Sequence, residues 1–545
     1  MVCPLEAPAG CARMTAPIYL DYAASTPVDP AVAQAMAHCL TAADAFANPS
    51  SAHELGRAAA ALIERARAQV AALIGAEPQE IVFTSGATES DNLAVLGIAR
   101  ANAARGRHIV TSRIEHKAVL DPCRRLEREG FRVTYLTPEP SGLLDPGAVA
   151  AALSPDTVLV SIMHVNNEIG VIEDIAAIGA VCRTAGVAFH TDAAQSAGKV
   201  RIDLRALPID FLSLTAHKMN GPKGVGALYV RRSARARLKP LSFGGGQEGG
   251  LRPGTLATHQ IVGFGVAAEL AARLLPAESG RVAGLRERLW KGLATGGGVL
   301  LNGEVAPRVP GILNVSFEDV EGESLVAALR TLAISTGSAC NSATGDPSYV
   351  LRALGRSTRL AESSLRFSLG RFTTADQIDF AIREVHHELA RLRAVSPRRY
   401  EGPAGSLDSS VHALMNPRGG TESTAEPETE LERLFRELPG AGVIPDAVGR
   451  VLHGEAGGPA EEVWVRFHLL VDGDSVKDAR FEARGCPHTL ATAAWLSREL
   501  RGRRREEALG CGPQGWARAL GVPVEKLGRL LIIEDALNAS LRSWS

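Results

Sequence analysis

Five short runs of β-branched and aromatic residues punctuate the first half of the chain: "EIVFTSG" (80–86), "RHIVTSR" (107–113), "TVLVSIMHV" (157–165), "VAFHTDAA" (187–194) and "DFLSLTAHK" (210–218). Between them lie apolar patterns of helical spacing, such as "AAALIERARAQVAALIG" (59–75), which Gly75 closes. Strands alternating with helices predict an α/β fold with a mostly parallel sheet covered by helices. Open sheets of this kind bind ligands beyond the C-terminal ends of their strands. That is where polar residues collect here.

At 545 residues the chain is too long for one ordinary core. Its composition shifts at "SPRRYEGPAGSLDSSVHALMNPRGGTESTAEPETE" (396–430), a stretch rich in Pro, Gly, Ser, Thr and Glu. Such a stretch lacks the apolar area to order itself and reads as a flexible linker. Order signals return at Leu431. "LERLFREL" is amphipathic, "VWVRFHLLVDGDSVKDARFEA" gives two strands around Asp472-Gly473-Asp474, and "TLATAAWLSREL" and "EDALNASLRSW" are helical. The expected organisation is an extension over 1–16, with Met14 as an alternative start, then the α/β domain over 17–395. The linker over 396–430 and a separate small α+β domain over 431–545 follow.

A net charge of −1 gives no argument for a nucleic-acid or membrane partner. No stretch reaches the ~18 consecutive apolar residues of a membrane span. "MVCPLEAPAGCARM" has no apolar signal-peptide core, so the expected compartment is the cytoplasm. The eight cysteines, at 3, 11, 39, 123, 182, 340, 486 and 511, are scattered and form no CxxC pair. In a large cytosolic chain they are expected to be packing thiols, ligands or nucleophiles rather than disulfides. Cys39, Cys123 and Cys182 fall in apolar helical patterns and read as packing.

Three strand ends could carry chemistry. "TSGATES" (84–90) follows a strand and opens a helix. Its backbone N–H groups, with the hydroxyls of Thr88 and Ser90, would suit a phosphate; an ordinary helix cap with Glu89 in the first turn is the plainer reading. "FHTDAAQS" places Asp192 at a strand end with Gln195 three residues on, again cap or site. Lys218 closes an apolar strand, an unusual place for an ammonium because desolvating it is costly. The same desolvation lowers its pKa and makes it a nucleophile. A lysine nucleophile, an acid and a phosphate turn are the three parts that pyridoxal phosphate needs.

Residues 17–397 resemble the cysteine desulfurases of the class-V aminotransferase fold. The blocks that carry the likeness include "IYLDYAASTPVDP", "EIVFTSGATESDNLA", "VLVSIMHVNNEIGV", "HTDAAQSAGK", "AHKMNGPKGVGALYVRR", "GGGQEGGLRPGT", "STGSACNSA" and "SLRFSLGRFTT". The resemblance implies the type I fold of pyridoxal-phosphate enzymes, with a mostly parallel sheet and a small C-terminal subdomain. It implies that Lys218 holds the cofactor covalently, that His116 stacks on the pyridine ring and moves protons, and that Asp192 pairs with the ring nitrogen. Gln195 would bond the phenolic oxygen. Ala87, Thr88, Thr215 and His217 would hold the phosphate. Thr255 matches a position that reaches the phosphate of the other subunit, which implies a homodimer. Asn167 and Arg366 would bind the substrate carboxylate, for which a guanidinium fork is suited. The implied substrate is L-cysteine, the product L-alanine, and the partners sulfur acceptors or iron–sulfur scaffold proteins. Cys340, in the small-residue stretch "STGSACNSATG", would take the sulfur as a persulfide. A selenocysteine lyase shares the fold and the lysine, and an assembly pseudoenzyme is the alternative without turnover.

"KDARFEARGCPHTLATAAWLSREL" and "LGVPVEKLGRLLIIEDALNASL" resemble the NifU-type iron–sulfur scaffold. Of its three cysteines only Cys486 is kept. Ala460 and Glu462 stand where the first cysteine and the following aspartate would lie, and Gly528 and Arg529 replace a His-Cys pair. An iron–sulfur cluster needs about four ligands, mostly thiolate, so no metal site is expected; Cys511 lies at a non-matching place and His488 is the nearest further ligand type. Three readings stay open: Cys486 as a tethered sulfur acceptor, a docking module without chemistry, or a scaffold that borrows ligands from elsewhere.

Overall fold

The computed structural model describes residues 16–544 except 43, 304–306, 337–346, 396–427, 446–448, 459–462, 509, 511 and 524–525. Cys340, Cys3, Cys11, Cys511, Ala460 and Glu462 therefore lie outside the described residues, as does most of the expected linker.

A short strand, β1 (Ile18–Tyr19), leads into helices α1 (Pro30–Thr41) and α2 (Glu54–Ile74). The large sheet is then built from β2 (Ile81–Thr84), β3 (His108–Ser112), β4 (Arg132–Leu136), β5 (Thr157–Ser161), β6 (Ala188–Asp192), β7 (Phe211–Thr215) and β8 (Gly226–Val230). Their order is β2-β8-β7-β6-β5-β3-β4, parallel except for β8. Neighbouring residues of a strand face opposite layers. Val110, Val160, Phe189 and Leu212 join one buried cluster, while Ile109, Leu159, Ala188 and Phe211 join the other. Both faces are thus covered, which is why these strands read as nearly continuous apolar runs. On the first face lie α2, α6 (Ile175–Ala185, after α5, Pro146–Ala152) and α7 (Thr258–Ala294); on the second lie α3 (Ala87–Ala101) and α4 (Lys117–Arg128).

The helix expected over 59–75 begins at Glu54 instead. The His53 imidazole accepts a hydrogen bond from the Gly56 N–H at 3.1 Å and caps it. At its other end Gly75 closes it in the left-handed conformation, φ 68°. Helix α7 is the one described helix long and apolar enough to cross a membrane. It packs on α1 and α2, and its Glu278, Arg281 and Arg288 bond Arg371, Thr373 and Asp379, so it is a helix of the fold.

The small subdomain holds an antiparallel sheet of β9 (Val299–Leu301), β10 (Ile312–Phe317), β12 (Ser335–Thr336) and β13 (Ser364–Ser368), with β11 (Leu332–Ala333) beside β1. Helices α8 (Gly322–Ala328), α9 (Tyr349–Ala353), α10 (Thr358–Glu362) and α11 (Ala375–Val395) complete it.

The tail is an antiparallel meander, β14 (Arg450–Gly458), β15 (Val463–Asp472) and β16 (Ser475–Arg484), with helices α12 (Glu430–Glu437), α13 (Pro487–Glu499), α14 (Gly512–Leu520) and α15 (Leu527–Arg542). Gly473, φ 58°, makes the expected hairpin turn. Strand β14 and helix α14 were not foreseen. The linker's expected end is also helical: Thr429 and Glu432 form a capping box that starts α12 at Glu430. The tail docks on its own chain. Leu325, Leu389 and Leu392 of the small subdomain and Leu434, Phe481 and Leu490 of the tail share one buried apolar cluster.

One close approach positions the strand ends. A Cβ on Gly226 would lie 2.6 Å from the Leu214 carbonyl oxygen and 2.7 Å from Gly86 Cα, backbone atoms that cannot step aside. Gly226→Ala is expected to lower stability by about 1–3 kcal/mol, read as a lower urea midpoint; an unchanged midpoint would refute the tight fit.

Candidate active site

The C-terminal edge of the large sheet encloses a cavity of about 520 Å³ lined from the ends of β2, β5, β6 and β7, the N-termini of α3 and α4, and β13. After β2, Gly86 is the N-cap of α3 and no side chain caps the helix. The N–H groups of its first turn, at Ala87 and Thr88, open on this cavity, as an anion site requires. Glu89 does not cap them: it accepts from the Ser85 N–H at 2.6 Å and pairs with Arg252 at 2.9 Å. Ser90 corrects the sequence reading. It is fully buried and bonds Thr84 Oγ1 at 2.8 Å, so of the two hydroxyls expected there only Thr88 lines the cavity.

Strand β7 ends at Thr215, followed by one helical turn over Ala216–Lys218. Lys218 Nζ donates to the Ala23 carbonyl at 2.7 Å. His217 faces Ser25, and burial, with Lys218 beside it, pushes its imidazole down to about 4. Asp192 ends β6 inside the cavity and accepts from the Ala194 N–H at 2.8 Å. Gln195 donates to the same Ala23 carbonyl at 2.8 Å. His116 is the N-cap of α4, where its Nδ1 accepts from the Ala118 N–H at 3.1 Å, leaving Nε2 as the protonated nitrogen of the neutral ring. Burial, and then Lys218, hold its pKa below the ordinary histidine value against the pull of Asp192.

Arg366 is nearly fully buried on β13. It pairs with Asp21 at 2.8 Å and donates to the Asn167 carbonyl at 3.0 Å. Its Nε and the Asn167 Oδ1 are buried without a hydrogen-bond partner among the described residues. Unpaired buried polar atoms are costly, and two of them side by side suit a polar ligand. Thr255 is the exception: it lies exposed in the segment before α7 and is not among the residues lining this cavity. Cys340 lies in a segment that joins β12 to α9.

Sequence reasoning passed over three residues. Lys199 donates to Gln195 Oε1 at 2.9 Å, which turns the amide N–H₂ toward Ala23 and the cavity. Burial, and then Lys218 and Arg366, push this amine down to about 7. Asp91 lies 3.5 Å from His190 Nε2 and faces Asp192. Burial pushes His190 down to about 3, while burial, and then Asp192, raise the Asp91 carboxyl well above its ordinary value. Its helical spacing with the buried Ala94, Val95 and Ile98 was the available signal. Glu115 is likewise buried and raised, chiefly by burial, and accepts from the Met163 N–H at 2.8 Å. In the tail, Cys486 caps α13 fully buried, its Sγ 3.6 Å from Thr489 Oγ1 and 3.9 Å from His488 Nδ1. Among the described residues no group of three or more His, Cys, Asp or Glu could hold a metal ion.

An open helix N-terminus, a strand-end lysine, an acid and an imidazole around one cavity fit pyridoxal phosphate: α3 for its phosphate, Lys218 for its aldehyde carbon, Asp192 for its ring nitrogen. Comparison with known proteins agrees. The class-V aminotransferase family matches residues 18–380, and the NifU-like N-terminal domain family matches residues 435–545. The cysteine desulfurase IscS of Azotobacter vinelandii is 58% identical over 385 residues, 70% of this chain and 95% of that one. Its counterpart in Aeromonas hydrophila is 57% identical over the same length. Among solved structures, a NifS-like protein matches 69% of the chain and 100% of its own with 34% identity and a TM-score of 0.65. SspA in complex with cysteine matches 66% and 100% with 43% identity and a TM-score of 0.59. The chain belongs to the class-V aminotransferase family as a pyridoxal-phosphate-dependent cysteine desulfurase, and a NifU-like domain follows its catalytic domain.

Proposed function

We propose that the cavity residues convert L-cysteine to L-alanine while Cys340 takes the sulfur. The convergence of Lys218, His116, Asp192, Arg366 and the open α3 N-terminus on one cavity carries this reading. The cofactor supplies an electron sink joined to the substrate's α-carbon. The first turn of α3 with Thr88, Thr215 and His217 binds its phosphate. Asp192 holds a proton on the ring nitrogen, and Gln195, oriented by Lys199, bonds the phenolic oxygen. Arg366 binds the substrate carboxylate through its unpaired Nε–H, and Asn167 donates to it through its side-chain N–H₂. That a related structure holds cysteine, the complex of SspA, supports cysteine over selenocysteine as substrate. His116, neutral and fixed by its cap, gives the proton at Nε2 and afterwards takes it back, while Lys218 takes or returns a proton at Nζ. The Cys340 thiolate attacks the substrate's sulfur. The carbon–sulfur bond breaks, the carbon takes a proton, and the products are alanine and a Cys340 persulfide. No outside oxidant or reductant is needed.

The tail serves in this reading as a tethered acceptor through Cys486 for sulfur bound for iron–sulfur assembly. The fusion supports this: the NifU-like domain stays joined to the domain that would supply the sulfur. A tether of this kind raises the local concentration of the acceptor to about millimolar. The exposed Thr255, and Phe243 at 87% exposure in the same stretch, support a homodimer in which Thr255 reaches the partner's phosphate. The charged pairs that cover α7 fit a cytoplasmic enzyme.

A cysteine pulse followed by mass spectrometry tests both thiols. The wild type should carry persulfide on Cys340 and Cys486. Cys340→Ser should keep the yellow cofactor band, lose alanine formation by at least about 10³-fold and leave Cys486 unmodified. Turnover in Cys340→Ser would refute the nucleophile; a Cys486 that never carries persulfide would remove the relay and leave the enzyme. The lowered His116 pKa sets the pH profile. Its ring stays neutral where an ordinary imidazole is charged, so the acid limb of kcat/KM should lie below about pH 6.5 and disappear in His116→Gln; a limb above that value argues against this base. Sedimentation of the holoenzyme as a monomer alone would exclude the dimer.

A further inference from the structure

Between the catalytic domain and the tail lies a group of titratable side chains that the reaction does not use, two of them buried and two half-buried. Glu321 and Glu323 come from the start of α8; Lys526 and Arg529 come from the start of α15. Lys526 Nζ lies 3.5 Å from Glu323 Oε2, and both side chains are almost wholly buried, at 1% and 2% exposure. Glu321 caps α8 by accepting the Ser324 N–H at 2.7 Å. Arg529 faces Cys486, Glu321 and Glu323; burial pulls its pKa down, but these three together raise it above its ordinary value. Burial, then Glu323 and Cys486, push the Glu321 carboxyl up to about 8. Beside them Ser324 Oγ donates to the Gly485 carbonyl at 2.8 Å, fixing the turn that carries Cys486.

The two acids sit on the catalytic side and the two bases on the tail side. Glu323 and Lys526 bury opposite charges against one another, and neither is tolerable there without the other. A buried ion pair gains little net free energy, because desolvation offsets most of the attraction. Such pairs set where two surfaces dock more than how tightly. A contact of that kind is specific and reversible.

We propose that Glu321, Glu323, Lys526 and Arg529 form a latch that closes the tail over α8 and stores Cys486 out of reach, so that Cys486 reacts only when the latch opens. The latch would control the acceptor role given above and rests on that reading for its purpose, though not for its existence. In the closed state Cys486 has no exposed surface, so sulfur cannot enter until the domains part.

The test uses full-length holoenzyme without substrate, a short pulse of iodoacetamide, and mass spectrometry of each cysteine peptide. Cys123 and Cys182, buried in the catalytic domain, are internal controls. In the wild type Cys486 should be labelled as slowly as they are. In Glu321→Gln/Glu323→Gln, and separately in Arg529→Met, its labelling should rise at least ~10-fold by local opening while the controls stay unchanged. The reversed pair, Glu323→Lys with Lys526→Glu, should restore protection beyond either single change. The tryptophan emission, to which the buried Trp516 and Trp544 of the tail contribute, should not move to the red, which separates opening from unfolding. Fast labelling of wild-type Cys486, or labelling that neither variant accelerates, would overturn the latch. Because no sulfur is supplied, this result is independent of the cysteine pulse: a protected Cys486 that never carries persulfide leaves the latch and removes its purpose.

Discussion

The charged groups that give this protein its chemistry are buried, and a buried charge persists only beside an opposite one or as its neutral form. That constraint shapes the catalytic cavity. Arg366 is charged and therefore has Asp21 at 2.8 Å. His116 and His217 sit near Lys218 and are held neutral. Burial, and then Asp192, raise the Asp91 carboxyl, which disfavours a second negative charge beside the cavity. The stretch from Asp21 to Thr26 serves several of these groups at once. It gives Asp21 to Arg366, the Ala23 carbonyl to Lys218 and Gln195, and Thr26 to the backbone of His217 and Asn220. An N-terminal strap thus joins residues more than 340 positions apart into one site.

Much of this was legible in the sequence because a parallel sheet leaves two marks. Its strands are apolar on both faces, and its ligand-binding residues follow the strand ends. Lys218, Asp192 and "TSGATES" are such ends, and the structure brings them to one cavity. What the sequence hid depended on partners far away in the chain. Ser90 looked like a phosphate hydroxyl until the fold turned it onto Thr84. Lys199 acts through Gln195 and bears no motif. Helix α2 starts at Glu54 because His53 caps it, and histidine is not among the usual capping residues. In the tail, a two-residue turn marked one hairpin, but β14 carries Gly454 and Gly457, residues that weaken strand propensity. Gly454 is nevertheless required: a Cβ there would lie 2.0 Å from the Ser540 backbone nitrogen on α15.

The tail raises a different question, namely how polar groups are satisfied at the seam between two domains. An unpartnered polar group buried there is destabilising. Here Arg529 occupies the region and turns toward acids supplied by the neighbouring domain. Such a solution works only in a chain where Glu321 and Glu323 are always close, which fusion provides. Arg330 with Glu432 at 3.1 Å, and Arg391 donating to the Phe435 carbonyl at 2.8 Å, tie the tail's first helix to the same subdomain. The shared apolar cluster then supplies cohesion, while the charges select the register of docking.

The cysteines show how environment divides one functional group into separate roles. Cys123 and Cys182 lie on helix faces turned into apolar cores, where burial raises the thiol pKa, Cys182 to about 12. A thiol that stays protonated neither attacks sulfur nor binds metal. Cys486 is equally inaccessible, yet its surroundings are polar and charged: Thr489, His488, Arg529 and two carboxyls. Burial in an apolar core is permanent because the wall belongs to the same packed domain. At Cys486 part of the wall is another domain's helix, held by the shared apolar cluster and by charges that water can also satisfy. The same exposure value therefore describes a thiol that is inert by composition in one case and by position in the other, and only the second can be reversed without unfolding.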